Sequence, residues 1–513
     1  MAKVLIWGLG LNKGGVGMVA YFAKRGHKVR ITDLRTQEQL KPSLEQIKDL
    51  IKKYNIELIL GEHRDEDFKW ADIVVRNPAI PPRSRFIEIA KRHGAQVIME
   101  MALFFKEFKG ITVGITGTKG KSTTTKLVYE VVRSDPRIAA HHLPFLAGNI
   151  GESAVKYLTP KYNKPSSIAV LELSSYQLSV MKDFKQSPHI GVLTNIYPDH
   201  LNWHGSLTHY VNSKLQIFRN QTSKDYAIFS LSTQFLEKVL KAAKNSCKIG
   251  VVLSKKELSQ LSSTLLQQLE DVVYWYKNSI YSLKKGAVVK NVKISPALRG
   301  VHNKQNILLA VAATVFTDLK ASPSTVKKVL ANFEGLYGRQ QFVASINGVD
   351  FYNDTAGTHE RSVYYAAQRF AKEYNYQTTV KKGAQKTRRQ PLRPAVIFIM
   401  GGVDKGFDYT QLIEEIKDKV AGIVLFEGDA SKKIKQAAQK MGIPTWGYYS
   451  TMKEAVHKAY KEARKLLQGK TASKSAARAA VVLSPGAASF NMFLNEWDRG
   501  KQFEEAVCSL KNI

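Results

Sequence analysis

The segment Val113-Gly114-Ile115-Thr116-Gly117-Thr118-Lys119-Gly120-Lys121-Ser122-Thr123-Thr124 runs from a β-branched apolar stretch through a glycine-rich loop to a Lys-Ser pair. A loop of this build lets backbone N–H groups close on phosphate oxygens at a helix N-terminus, with a lysine for the terminal phosphates and a hydroxyl for Mg²⁺. Ile115 stands where the commonest phosphate-loop pattern has its first glycine, so the form here is Thr-Gly-Thr-x-Gly-Lys-Ser-Thr. The chemistry predicted is ATP binding by Gly117, Thr118, Lys119, Gly120, Lys121, Ser122 and Thr123. Glu172 closes a later apolar run, and His200 follows another in Asn195-Ile196-Tyr197-Pro198-Asp199-His200. Both are expected at the carboxyl ends of parallel strands, where open α/β sheets receive their ligands.

A second nucleotide signal lies at the N-terminus. A buried-type strand over 4–7 leads into Gly8-Leu9-Gly10-Leu11-Asn12-Lys13, then an amphipathic helix to Arg25 and a strand ending at Asp33. This reads as a βαβ nucleotide-binding start. The strict dinucleotide fingerprint fails, because Lys13 occupies the third glycine position. Asp33 suits a ribose, and Lys13 and Arg35 suit a diphosphate. A hydride-transfer cofactor and a different nucleotide both fit these residues.

The elements that must position these groups alternate strand and helix, which predicts an α/β protein. Three domains are expected: 1–109, Rossmann-like; 110–334, a mostly parallel sheet of phosphate-loop ATPase type; and 335–513, again Rossmann-like. In the third, 343–353 reads as a hairpin turning at Asn347-Gly348. Strands are expected at 395–400, 423–426 and 480–483, the last running into Ser484-Pro485-Gly486.

Composition narrows the class. Hydrophobic residues form 44% of the 513, enough for packed cores. Only Cys247 and Cys508 are present, which argues against a disulfide framework and for a reducing compartment. No apolar run approaches the ~18 residues of a membrane span, and the N-terminus lacks the pattern of a signal peptide. A soluble, cytoplasmic monomer is expected. The net charge of +34 fits nucleic acid, an anionic surface or anionic substrates. Its densest cluster, Lys381-Lys382, Lys386, Arg388-Arg389 and Arg393, reads as an exposed loop, either solvated or contacting a polyanion.

In combination, several motifs resemble the ATP-dependent Mur ligases of peptidoglycan synthesis, and among them the glutamate-adding type. They are the phosphate loop, Gly148-Asn149-Ile150-Gly151, Leu171-Glu172-Leu173-Ser174-Ser175-Tyr176-Gln177, Asn195 to Leu201, and Tyr210-Val211-Asn212-Ser213-Lys214. To these are added His302-Asn303-Lys304-Gln305-Asn306, Gly338-Arg339, Asn353-Asp354-Thr355 and Ser484-Pro485-Gly486-Ala487-Ala488-Ser489. The resemblance implies a UDP-substrate domain, an ATP domain and an amino-acid domain. It implies ATP, Mg²⁺ at two positions, and CO₂ held as a carbamate on Lys214. Ser122, Glu172, His200 and Lys214 would serve the metals, with Lys121, His200 and Lys214 catalytic. Asn149, Asn306, Arg339 and Asp354 would join the ATP site. Leu9, Gly10, Leu11, Asn12, Lys13, Asp33 and Arg35 would hold the UDP substrate, and Thr358, Lys405 and Ser489 the amino acid. The implied substrates are UDP-N-acetylmuramoyl-L-alanine and glutamate, most consistent with the D form. A Mur ligase adding L-glutamate or another amino acid is the near alternative. A nucleotide- or nucleic-acid-binding ATPase-like protein without ligase activity is the distant one. Two positions depart from the family: Ala356 replaces a lysine, and Glu496 stands where an aromatic residue is common.

Overall fold

Val4, Leu5, Ile6 and Trp7 are each at most 1% exposed, as expected of a strand covered on both faces. In the computed structural model this strand, Lys3–Trp7, is the centre of a five-stranded parallel sheet. In spatial order the strands are Glu57–Leu60, Lys28–Asp33, Lys3–Trp7, Ile73–Arg76 and Gln96–Ile98. The chain therefore changes direction of travel across the sheet on either side of Lys3–Trp7. Lys3–Trp7 and Ile73–Arg76 stay paired to their ends, and the connections that follow them run in opposite directions, which leaves a crevice for a ligand beyond the carboxyl ends.

The structure describes residues 1–11, 13–376, 379–382, 386–389, 393–404, 406–468, 478–489 and 492–510. Contacts divide the chain into two units, 1–294 with 303–332, and 295–302 with 333–513. The first unit also contains a nine-stranded sheet. Its order is Gly286–Val289, Ser279–Ser282, Asp271–Tyr276, Cys247–Val252, Tyr226–Ser230, Ile190–Leu193, Ile111–Thr116, Ser167–Glu172 and Leu143–Gly148. The strands from Asp271–Tyr276 to Leu143–Gly148 are parallel, and the last two at the far edge are antiparallel. Ile111–Thr116, Ser167–Glu172 and Ile190–Leu193 consequently end on one side of the sheet, which carries the phosphate loop, Glu172 and the loop to His200.

The second unit has a six-stranded sheet, ordered Gln341–Ile346, Val349–Asn353, Ala479–Leu483, Val396–Met400, Gly422–Phe426 and Thr445–Tyr449. The first pair is antiparallel and turns at Asn347 and Gly348, with φ of 49° and 82°. Two successive left-handed residues match the twist of the flanking strands. The basic segment differs from its expectation as a loop. Thr379–Lys382 pairs with Lys386–Arg389 as an antiparallel hairpin, so the backbone groups of the two arms bond to each other. Val380 and Thr387 supply the β-branched residues whose signal the surrounding charge obscured. Among the described residues, no helix is long and apolar enough to cross a membrane.

Candidate active site

The phosphate loop is held by residues just past the neighbouring strand Ile190–Leu193 and by its own side chains. Gly117 and Gly120 have φ of 148° and 85°, and a Cβ on them would collide with Thr194 Oγ1 and Asn306 Oδ1 respectively. Asn195 clamps Lys119 from both sides: its Oδ1 accepts from Lys119 N and its Nδ2 donates to Lys119 O, each at 2.9 Å. Thr194 Oγ1 donates to the same carbonyl at 2.6 Å. Thr118 Oγ1 lies 2.8 Å from the Tyr210 hydroxyl. Lys121 curls back so that Nζ donates to Gly117 O and Thr118 O, both at 2.9 Å. The helix Lys121–Ser134 opens at Gly120 without a side-chain cap, a geometry suited to an anion at its N-terminus.

Lys214, Glu172, Asp199 and His200 gather near this loop. Lys214, on the helix Leu207–Arg219, is 2% exposed, and its Nζ donates to Gly117 O at 2.8 Å. The ammonium also lies 4.7 Å from the Tyr210 ring centroid. Burial holds its pKa well below the ordinary lysine value. Lys121 adds to that depression, and Asp199 opposes it. Glu172 is 2% exposed. Its Oε1 accepts from Asn149 Nδ2 at 2.7 Å, whereas its Oε2 is buried with no hydrogen-bond partner. Lys119 Nζ is 3.9 Å from Asp199 Oδ2. His200 adopts the left-handed region, φ 54°, and its ring lies 5.0 Å from that of Tyr176. Desolvation lowers its pKa, with Asp199 opposing and the three lysines 121, 214 and 119 reinforcing. Its side chain is 43% open to solvent.

Of the residues predicted for the UDP substrate, the N-terminal sheet brings Lys13 to the crevice beyond the carboxyl ends of its central strands. A cavity of about 220 Å³ is lined there by Gly8, Lys13, Asn77, Glu100, Asn149 and Tyr176, among others. Asp33 is 3% exposed and serves the loop itself: Oδ2 accepts from Gly10 N and Oδ1 from Arg35 N, both at 3.0 Å. Arg35 is half exposed beside it. Leu9 is fully buried and Leu11 is exposed. Lys13 pairs with Glu152 across the crevice. Asn12 lies outside the described residues.

In the second unit, Asp354 follows the strand Val349–Asn353 and is 5% exposed. Its Oδ2 accepts from Ser484 Oγ at 2.8 Å and its Oδ1 from Gln340 N at 3.1 Å. Burial pushes its pKa up to about 7, against the Ser484 bond and the charge of Arg339. Arg339 is exposed and within electrostatic reach of Asp354. Thr358 follows the turn in which Gly486 N donates to Gly357 O at 2.8 Å. Ser489, 3% exposed, follows Ala488, which bridges to Val403. Lys405 lies outside the described residues. Ala356 N donates to Gly338 O at 3.0 Å. Glu496 opens the helix Glu496–Ser509, where a carboxylate favours the N-terminal dipole. Arg499 feels its charge one turn on.

Comparison with known proteins bears on this arrangement. Residues 2–99 match the model of the Mur ligase MurD-like N-terminal domain, and residues 115–314 that of the Mur ligase middle domain. The chain is 32% identical to the UDP-N-acetylmuramoylalanine--D-glutamate ligase of Roseiflexus sp., covering 98% of both chains. It belongs to the Mur ligase family. The enzyme of the same name from Geobacillus kaustophilus is 33% identical, with 99% of this chain and 98% of that one covered. Among solved structures, MurF from Acinetobacter baumannii shares the fold at a TM-score of 0.56 and 15% identity, covering 96% of this chain and 92% of that one.

Mg²⁺ fits the residues this Mur ligase provides. Among the described residues, no cluster of three or more His, Cys, Asp or Glu side chains could hold a metal. A Mg²⁺ ion held through one or two protein oxygens plus phosphates and water needs no such cluster. The unpartnered, buried Glu172 Oε2 is a hard oxygen left for such a ligand. Sequence reasoning passed over Asn195, Asp199 and Tyr210, although all three lie inside motifs it quoted. It passed over Glu100, which nothing local marks, and gave no role to Arg499, which lies in the Asp498-Arg499-Gly500 motif shared with the family. Glu100 accepts from Ser153 Oγ at 2.5 Å, and Arg499 is fully buried 144 residues from its main partner Thr355.

Proposed function

We propose that this chain is an ATP-dependent ligase that adds D-glutamate to UDP-N-acetylmuramoyl-L-alanine in the cytoplasm. The observation that carries this reading is full-length identity of 32–33% to proteins named for that activity. It is supported by a phosphate loop, a buried lysine and a carboxylate with one unpartnered oxygen on one side of the sheet.

In this reading the amides of 117–123 and Lys121 Nζ cradle the β- and γ-phosphates. Lys121 exchanges its carbonyl partners for phosphate oxygens, so it carries charge to where charge develops. Ser122 and Glu172 hold one Mg²⁺, and His200 and Lys214 serve a second. When bound, the ions offset the repulsion between the anionic phosphates and the substrate carboxylate. The UDP substrate lies along the crevice past Gly10, Lys13 and Asn149, with Asp33 and Arg35 toward its nucleoside. Its carboxylate attacks the γ-phosphorus and ADP leaves, giving an acyl phosphate. The amine of glutamate then attacks the acyl carbon, and inorganic phosphate leaves from the tetrahedral intermediate.

Lys214 supports a carbamate by its environment. Only the neutral amine reacts with CO₂, and burial beside Lys121 favours that form. The product anion suits a cation-rich pocket better than an ammonium does. Asn306, Arg339 and Asp354 are assigned to the nucleotide, and Thr358, Lys405 and Ser489 to glutamate. The domain assignment follows: 1–109 for the UDP substrate, 110–334 for ATP and 335–513 for the amino acid.

The test is incubation with ATP, Mg²⁺, UDP-N-acetylmuramoyl-L-alanine and each glutamate enantiomer, reading phosphate release and product mass. Product with D-glutamate alone is expected. Product only with another amino acid would overturn the specificity, and ATP hydrolysis without any product would overturn the ligase reading.

A further inference from the structure

His204 has no part in the chemistry described above, yet it touches three elements of the site. It ends the short helix Leu201–His204 and is only 6% exposed. Its Nε2 lies 3.0 Å from Ser175 Oγ, and its Nδ1 3.0 Å from His209 Nδ1. Its ring stacks on Tyr176 at 5.6 Å with an interplanar angle of 14°. The edge of the same ring meets Tyr210 at 5.1 Å and 75°.

The contacts lead to two parts of the site. Tyr176 lines the 220 Å³ cavity and also packs on His200 and Trp203. Ser175 begins the one-turn helix Ser175–Ser179, whose Tyr176 and Gln177 line that cavity. Tyr210 bonds to Thr118 of the phosphate loop and lies under the Lys214 ammonium. Burial, helped by the charges of His209 and Lys214, lowers the His204 pKa, so the ring sits neutral among these aromatics.

We propose that His204 is a positioning residue that seats the Tyr176 ring as a wall of the UDP-substrate cavity and sets Tyr210 against the phosphate loop. Substrate binding and phosphate-loop geometry are thereby tied to one buried imidazole. The Tyr176 stack bears on the substrate side, and the polar edge reaches the loop side through His209, which precedes Tyr210 on the helix Leu207–Arg219. This inference rests on the cavity being the UDP-substrate site.

The test separates stack from edge. Affinity for UDP-N-acetylmuramoyl-L-alanine is measured by calorimetry without ATP, and turnover by phosphate release, for wild type, His204→Ala and His204→Phe. His204→Ala should weaken substrate binding about tenfold, near the upper value of one aromatic pair. His204→Phe keeps a ring on Tyr176, so it should bind substrate within about twofold of wild type while kcat remains reduced. A purely structural role would leave substrate affinity unchanged in both folded variants. Unchanged affinity in His204→Ala, or a loss that Phe does not reverse, overturns the proposal. Should His204→Ala fail to fold, the cycle of His204→Gln with Tyr176→Leu reads the same coupling. Non-additive losses of substrate affinity are expected there, and additive losses overturn the proposal. Wild-type protein that does not bind the substrate at all overturns the site reading and this inference with it.

Discussion

The phosphate-loop site and the Asp354–Arg499 cluster are both buried and both charged, but they treat their polar groups in opposite ways. Around Asp354 the groups satisfy one another. Ser484 and Gln340 bond to the carboxyl, and Arg499 donates to Thr355 Oγ1 at 3.1 Å, Thr355 O at 2.9 Å and Ala487 O at 3.3 Å. Near the phosphate loop, Glu172 Oε2 has no partner, and Lys121 and Lys214 are held on backbone carbonyls. A buried polar atom without a partner costs about 1–3 kcal/mol. Such a cost is tolerable where a ligand removes it. The Asp354–Arg499 cluster is built to keep its own shape, and the phosphate-loop site to receive charge.

The sharpest break of this contrast is Lys214→Ala. If the residue carries a carbamate, ligation should fall about 10³-fold, the upper range for one preorganised electrostatic group. Folding should persist, and added small carboxylates should restore part of the rate. A ¹³C carbamate resonance in wild type under ¹³CO₂, missing in the mutant, checks the cause. Full activity in CO₂-depleted buffer would overturn it.

Lys121→Ala should cost about 10²-fold in kcat. Amino-acid-dependent phosphate release at the wild-type rate would show that the loop is not the reacting cradle.

Arg499→Ala acts on the other region. It strips donors from Thr355 and Ala487, and should lower unfolding free energy by about 2 kcal/mol. The kcat of the folded fraction should stay closer to wild type than in either lysine mutant. Denaturant unfolding with kinetics on the same sample separates the two effects.

A smaller effect concerns pH. Asp354 has a folded pKa near 7, above the ordinary value of 3.8. The folded state therefore holds more protons than the unfolded one between those values, and this group's contribution to stability falls as pH rises from about 4 to 7. Asp354→Asn should flatten that part of the stability–pH curve. An unchanged slope would mean the carboxyl titrates normally.

The smallest effect is expected from replacing residues 379–389 by a short linker. Kinetic constants should change by about twofold or less, as for surface changes away from a site. A large rise in KM for the UDP substrate would instead assign the basic hairpin to substrate capture.

Much of the central site was legible because its residues sit in short, contiguous patterns. The order strand, Gly117–Gly120, Lys121-Ser122 already specifies a loop between a strand and a helix, and the local geometry follows from glycine's access to positive φ. The Asn347-Gly348 hairpin was equally local. Glu172 could be set at a strand end, since apolar runs mark where buried strands stop, whereas His200 falls beyond the strand Ile190–Leu193 at the cap of the helix Leu201–His204. Nothing local announced that Glu172 would keep one oxygen unpartnered, that Asn195 would clamp Lys119, or that Asp33 would serve Gly10.

The sequence alone therefore determined the α/β class, the phosphate loop and the family, because each is written in contiguous residues whose backbone preferences and spacing are intrinsic. Only the tertiary structure decided what each charged group meets. Lys214 lies 97 positions from the carbonyl it bonds, and Arg499 lies 144 from Thr355. Burial and partnership, which set protonation and leave Glu172 Oε2 open, come from strand order and helix packing across such distances. No short stretch of sequence contains that information.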